Sequence, residues 1–156
     1  MVDPDTPEPP RDCLLCRPAD ADRFFGRTRV WSDRIWRLSV VSHGPVVGFA
    51  HLEPLRHIPH ITDLAGPEAD SFGRVLARVT RVLRDVTGAE LVYAYVFGER
   101  VAHFHVNLAP HHDGDALQGG PAMLRPEAVG APAADHLATA AAITRRLADA
   151  ASRQDV

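Results

Sequence analysis

Apolar residues recur at three- and four-residue spacings between positions 67 and 87. Phe72, Val75, Leu76, Val79, Val82, Leu83 and Val86 fall on one side of a helical wheel and arginines on the other. The pattern predicts one long amphipathic helix, with Pro67 suited to its first turn and Gly88 to its end. On either side of it the character changes. Residues 30–41 place Trp31, Ile35, Trp36, Leu38 and Val40 among polar positions, which predicts one or two strands turning near Ser32-Asp33. Ser42-His43-Gly44-Pro45 reads as a turn and 46–52 as the next strand. Glu53-Pro54 reads as its end, because proline cannot continue a ladder inside a sheet. Segments 90–97 and 102–108 are rich in Val, Tyr and Phe and flank a short Gly98-containing connection, so they are expected to pair antiparallel. Residues 135–152, alanine-rich with Leu137, Ile143 and Leu147, predict a terminal helix with a weak apolar stripe. Strands before and after a long helix, without an internal repeat, give an α+β fold: an antiparallel sheet with the long helix packed on it.

Size and composition fit one ordinary core, since the chain has 156 residues, 46% of them hydrophobic and 24% charged. The expected division is a disordered leader at 1–11, rich in Pro and acid, a domain at 12–115, and a loop with a C-terminal helix at 116–156. The net charge is −3 and the arginines are scattered among acids, which excludes the basic stripe of a nucleic-acid binder and leaves small anionic substrates. No apolar run approaches a membrane span, and the first residues lack the basic and apolar regions of a signal peptide. A cytoplasmic location without a membrane partner is the expectation. Cys13 and Cys16 stand too close together to form a disulfide framework, and in a reducing compartment such a pair marks a metal or redox site.

The chemistry concentrates in His103-Phe104-His105-Val106-Asn107-Leu108. On a strand, this alternation puts two imidazoles and a carboxamide on one face and apolar side chains on the other. Cys13-Leu14-Leu15-Cys16 adds two thiols at metal-ligand spacing, and Pro54-Leu55-Arg56-His57 adds a histidine just past an apolar stretch. Together they suggest a zinc-stabilised enzyme of phosphate chemistry. A redox role for the thiols is disfavoured, because a thioredoxin-like pair opens a helix after a βαβ pattern and this one follows a proline-rich leader. His57, His60 and His51 all remain available as the histidine that joins the thiols. His111 and His112 read as solvated loop residues, and Trp31 and Trp36 as core.

In their order, these motifs resemble the histidine-triad superfamily, which includes dinucleoside polyphosphate hydrolases, nucleoside phosphoramidases and, more distantly, galactose-1-phosphate uridylyltransferase. The resemblance runs from Cys13 to about Pro110. Gly48 leads through an apolar strand to Pro54-Leu55-Arg56-His57; Asp63-Leu64 precedes the long helix; Gly98 is followed by His103-x-His105-x-Asn107 and Ala109-Pro110. It implies a nucleotidyl hydrolase or transferase that cleaves a phosphoanhydride or phosphoramidate bond of a small-molecule nucleotide. His105 would be the nucleophile and a nucleotidyl-histidine the intermediate. It also implies a homodimer and a structural zinc held by Cys13, Cys16, His57 and His103, a closed tetrahedral set.

Three departures from the family pattern bear on substrate choice. Asn107 stands where hydrolases have a third histidine; a carboxamide donates a hydrogen bond but shuttles no proton, as with the Gln of the transferase branches. Phe49 follows Gly48 where His is common, with His51 two residues on and facing the same side. Gly98-Glu99-Arg100 replaces a Gly-Gln-Ser or Gly-Gln-Thr segment, so Arg100 is a candidate fork for phosphate and Glu99 a repulsive neighbour unless paired. Arg100, Glu99 and His51 are therefore the candidate substrate contacts, and His105 and Asn107 the candidate catalytic pair. Two other readings compete: a zinc-stabilised nucleotide-binding or regulatory protein with little or no catalysis, and a structural zinc module working through its terminal helix.

Overall fold

A computed structural model describes residues 10–117 and 127–152 of the chain. The polypeptide forms a short 3₁₀ turn at Leu14–Cys16 and helix α1 at Pro18–Phe25, followed by strands β1 (Arg27–Ser32), β2 (Trp36–Val41) and β3 (Ala50–Pro54). A second 3₁₀ turn at Ile61–Asp63 leads into helix α2 (Gly66–Thr87), then strands β4 (Leu91–Tyr95) and β5 (Val106–His111) and helix α3 (Ala133–Ser152). The five strands form one sheet in the order β1-β2-β3-β5-β4, every neighbouring pair antiparallel. This is the expected α+β architecture.

Alternation divides the sheet into two chemically distinct faces. Trp36, Leu38 and Val40 of β2, Ala50 and Leu52 of β3, and Val106 and Leu108 of β5 point into a core closed by Val75, Val79 and Leu83 of α2 and by Ala140, Ile143 and Leu147 of α3. The other face carries Arg37 and Ser39 of β2, His51 and Glu53 of β3, and Asn107 of β5. Register sets Ser39 opposite His51, His51 opposite Asn107, and Asn107 opposite Tyr95, a polar row across four strands. β2 is buried along its whole length. The N-terminal segment covers its polar face, with Arg37 donating to the Leu15 carbonyl and Ser39 to Asp22 of α1.

Several expectations are corrected by the backbone. The strand expected at 46–52 begins only at Ala50, because Gly48 adopts φ +84 and Phe49 N–H turns back to the Val46 carbonyl. Any Cβ at Gly48 would sit 2.8 Å from the Thr87 side chain and 3.3 Å from Pro110, so this turn presses against α2 and β5 in a way only glycine permits. At the far end, Pro54 is the last residue of β3 rather than a residue beyond it. The strand expected at 102–108 starts at Val106, so His103 and His105 lie ahead of the ladder, in a segment anchored by Phe104 N–H to the Ile58 carbonyl at 2.6 Å. Helix α1 was not anticipated, although Pro18 in its first turn and Gly26 in the left-handed conformation after its end are the signals for it. On α3 the stripe shifts: Leu137 is exposed, whereas Ala140, Ile143 and Leu147 are buried against α2 and β1. His111 and His112 are not merely solvated. His111 Nδ1 lies 3.0 Å from the Asp115 carboxylate, and the His112 side chain reaches the Thr87 carbonyl. Trp36 is fully buried, with its indole N–H donating to Ser71. Of the expected leader, residues 1–9 lie outside the described residues, as do 118–126 of the expected loop. Among the described residues no helix is long and apolar enough to cross a membrane.

Two measurements check this packing. Leu83 is fully buried between α2 and the sheet, so Leu83→Ala should lower the unfolding free energy in urea by about 2–5 kcal/mol. The second concerns Arg56 and Glu68, which form a two-pronged ion pair tying the segment after β3 to the first turn of α2. Hydrogen bonding from Arg56 holds the Glu68 carboxyl below its ordinary value of 4.5. A depressed carboxylate contributes stability that is complete above the unfolded-state value and lost as pH falls through the folded one. The stability gap between the native protein and Arg56→Met should therefore be largest above about pH 4.5 and shrink on acidification. Urea unfolding at neutral and acidic pH measures it; a gap that widens in acid would contradict this assignment.

Candidate active site and metal centre

Four potential metal ligands from distant parts of the chain converge. The 3₁₀ turn brings Cys13 and Cys16 to the surface of the sheet, the segment after β3 supplies His57, and the segment before β5 supplies His103. Their donor atoms all lie within 4.8 Å of one another. Both sulfurs are 3.5 Å from His103 Nδ1, and Cys16 Sγ is 3.3 Å from His57 Nδ1. A tetrahedron with zinc–sulfur arms of about 2.3 Å and zinc–nitrogen arms of about 2.0–2.1 Å has edges of roughly 3.3–3.8 Å, which these separations match. His103 is fully buried and its Nε2–H donates to the Pro54 carbonyl at 3.0 Å, so the lone pair on Nδ1 is the one turned toward the sulfurs. Burial holds His103 below the usual imidazole range, keeping it neutral as a ligand must be. Burial, together with the adjacent Cys13, pushes the Cys16 thiol up to about 12, so its thiolate needs a cation beside it. The residues present therefore fit a zinc ion. Of the three candidate histidines, geometry selects His57. His51 instead meets Arg27, and the His60 side chain closes a capping box with Asp63.

His105 follows two residues after His103, and its Nδ1–H donates to the His103 carbonyl at 2.7 Å. That bond places a proton on Nδ1. Beside it stands His51, ring centroids 6.2 Å apart. His51 lines a cleft of about 470 Å³ together with Phe25, Val41, Phe49, Tyr95 and Leu117. Phe49, the residue that departs from the family pattern, packs edge-on against His51 at 5.3 Å. Burial foremost, then the Arg27 and His105 charges, depresses His51 to about 3. Its ring is neutral at about pH 7.

Asn107 sits inside β5, 9% exposed, and donates from Nδ2 to the Tyr95 carbonyl of β4 at 3.3 Å. Its amide is thus partly engaged in holding the strands. Glu99 and Arg100 lie exposed in the connection between β4 and β5 and do not line the cleft. The candidate set accordingly falls into a Cys/His cluster (Cys13, Cys16, His57, His103), a row on the polar face (His51 and Asn107) with His105 beside His51, and two exposed loop residues. The sequence reading missed Arg27, Arg37 and Glu53, which are buried on the same face beneath His51. The signal was present: Arg37 and Glu53 occupy alternating positions of strands, and Glu53 had been read only as part of a strand terminator.

No family model and no curated protein matches the chain in sequence. Solved structures do match it in shape. A histidine triad protein of Bradyrhizobium japonicum superimposes with a TM-score of 0.67 at 19% identity, over 77% of this chain and 90% of that one. A hypothetical histidine triad nucleotide-binding protein of Sulfolobus tokodaii gives 0.65 at 14% identity, over 88% and 93%. A Zn-bound histidine triad family protein of Mycobacterium smegmatis gives 0.64 at 17% identity, over 88% and 97%. Taken with the sheet order and the placement of His103, His105 and Asn107, these likenesses show that the chain has the histidine-triad fold.

Proposed function

We propose that the protein is a nucleotidyl hydrolase or transferase, acting on a small nucleotide with a phosphoanhydride or phosphoramidate bond, and that His105 is its nucleophile. The observation that carries this reading is the His105 Nδ1–H bond to the His103 carbonyl, which commits Nδ1 to the backbone and makes Nε2 the nitrogen for attack, beside His51 of the aromatic-lined cleft. Nε2 attacks the α-phosphorus, a nitrogen–phosphorus bond forms, and the bond to the leaving group breaks, its electron pair departing with the leaving group, which is then protonated. In the second half-reaction the oxygen of water or of an acceptor attacks the same phosphorus and the nitrogen–phosphorus bond breaks, restoring His105. Phe25, Phe49 and Tyr95 offer apolar walls to a nucleoside. The S. tokodaii relative, named as nucleotide-binding, supports the substrate class. Asn107 and the loop residue Arg100 belong to this proposal as donors to phosphate oxygens, with Glu99 as the charge that limits which anions enter.

A zinc ion held by Cys13, Cys16, His57 and His103 has no open position for substrate, and when bound it supplies a structural cross-link. Bound there, it would tie the N-terminal turn to the segment that carries His105. The reading also includes a homodimer in the cytoplasm. A nucleotide-binding protein with little turnover is the second reading, favoured by the engagement of the Asn107 amide with the Tyr95 carbonyl.

Two experiments test the proposal. Protein purified without added metal should contain about one zinc per chain by elemental analysis, and Cys13→Ser should lower that content and the thermal stability together; a folded, zinc-free protein would refute the metal assignment. Incubation with dinucleoside polyphosphates, nucleoside phosphoramidates and nucleotide sugars, with and without inorganic phosphate, should yield mononucleotide or a transferred nucleotidyl group by mass spectrometry. His105→Ala should abolish product while leaving the circular dichroism spectrum and zinc content unchanged. Retained turnover in that variant excludes His105 as nucleophile, and tight nucleotide binding without turnover in the native protein favours the second reading.

A further inference from the structure

Beside His51, on the same polar face of the sheet, lies a buried charged cluster that neither the Cys/His cluster nor His105 accounts for. Arg27, the first residue of β1, has a side chain only 1% exposed. Its Nε–H donates to Asp22 of α1 at 2.8 Å, and its two terminal nitrogens donate to Glu53 at 2.7 and 3.1 Å. Glu53 is fully buried and also accepts from Arg37 Nε–H, while Arg37 Nη2 donates to the Leu15 carbonyl at 2.6 Å. Two guanidinium groups thus face two carboxylates, and the cluster is close to neutral.

One hydrogen bond leaves this cluster toward the cleft: Arg27 Nη1 to His51 Nδ1, at 3.0 Å. A guanidinium has only hydrogens to offer. His51 Nδ1 must therefore accept, and the single proton of the neutral ring resides on Nε2. The ring is wedged by Phe49 and Phe25 at 5.3 and 6.1 Å and sits 6.2 Å from His105. Its low protonation tendency, from burial and the adjacent guanidinium, agrees with a neutral ring. Across the β3–β5 ladder its partner is Asn107, whose amide points at Tyr95 instead.

We propose that Arg27, locked in place by Glu53, is a positioning residue that fixes His51 as an Nε2–H donor to the phosphate of the substrate beside His105. The kinetic consequences rest on the nucleotidyl-transfer reading above; the tautomer does not. A fixed neutral donor stabilises charge that develops on a phosphate oxygen without reorganising during the reaction. The fixed proton also prevents His51 from competing with His105 as a base.

The test has a spectroscopic and a kinetic arm, both on the full chain. Long-range proton–nitrogen correlation spectra of ¹⁵N-histidine protein, with His51 assigned by loss of its signals in His51→Phe, should show Nε2 protonated and Nδ1 bare between about pH 6 and 8. In Arg27→Met the same ring should show mixed tautomers. With adenosine and guanosine 5′-phosphoramidates as probes, His51→Phe should lower kcat about 100-fold with KM little changed. That variant keeps the Arg27–Glu53 contacts, so it reports on the donor even if Arg27→Met fails to fold. A native His51 protonated on Nδ1 or on both nitrogens would overturn the proposal. So would an unchanged tautomer in Arg27→Met, or native kcat in His51→Phe. If the native protein turns over neither probe, the nucleotidyl-transfer reading fails for them, while the tautomer spectrum still decides the positioning of His51.

Discussion

Glu53 is a carboxylate with no exposure to solvent, set in a strand between apolar neighbours that belong to the opposite face. Such a group is tolerated only where its charge is answered on the spot, and here Arg27 and Arg37 answer it from two different strands. The consequence reaches beyond charge balance. Arg37 extends to the Leu15 carbonyl and Arg27 to Asp22, so the N-terminal turn and α1 are held against the polar face of the sheet by the same carboxylate. Replacing a whole buried ion cluster by apolar residues is often neutral for stability, whereas removing one member costs about 3–5 kcal/mol because a charge is left stranded. The cluster is therefore best understood as fixing one arrangement of α1, β1, β2 and β3 among the many that hydrophobic packing alone would allow.

Main-chain carbonyls do much of the aiming at the site. Pro54 orients His103, and His103 in turn orients His105. Pro54 terminates β3, and the His103 segment is itself bonded through Phe104 to Ile58. The two imidazoles thus receive opposite tautomers from their surroundings, one keeping its lone pair on Nδ1 and the other on Nε2. Identical side chains two residues apart present different nitrogens to their surroundings, because His103 donates to the backbone from Nε2 and His105 from Nδ1.

The sheet–helix architecture and α2 were legible because the hydrophobic period of 67–87 is long and is bounded by Pro67 and Gly88. The thiol half of the Cys/His cluster was legible because Cys-x-x-Cys is a short-range pattern. Harder to see was anything set by a backbone turn. Gly48 at φ +84 delays β3 to Ala50, and the His103–His105 segment meets Ile58 before it joins the ladder; neither depends on polarity. Arg27, Arg37 and Glu53 escaped notice for a related reason. A charge inside a strand looks like a solvent-facing residue until the element that covers it is known, and α1 was the helix the pattern did not reveal.

The four donor residues are spread widely along the chain, with Cys13 and His103 separated by 90 residues. Bringing such distant groups together carries a loop-closure penalty that short-range contacts do not. Helix α2 and the β1–β2 hairpin involve near neighbours in sequence, whereas the cluster waits for the segment before β5 to dock beside β3. Assembly of the centre therefore belongs to the late, non-local part of folding. A metal captured by the thiols of a nascent chain could add His57 but would lack its fourth donor until residue 103 had emerged and packed, so a complete coordination sphere would require both ends of the domain to have met.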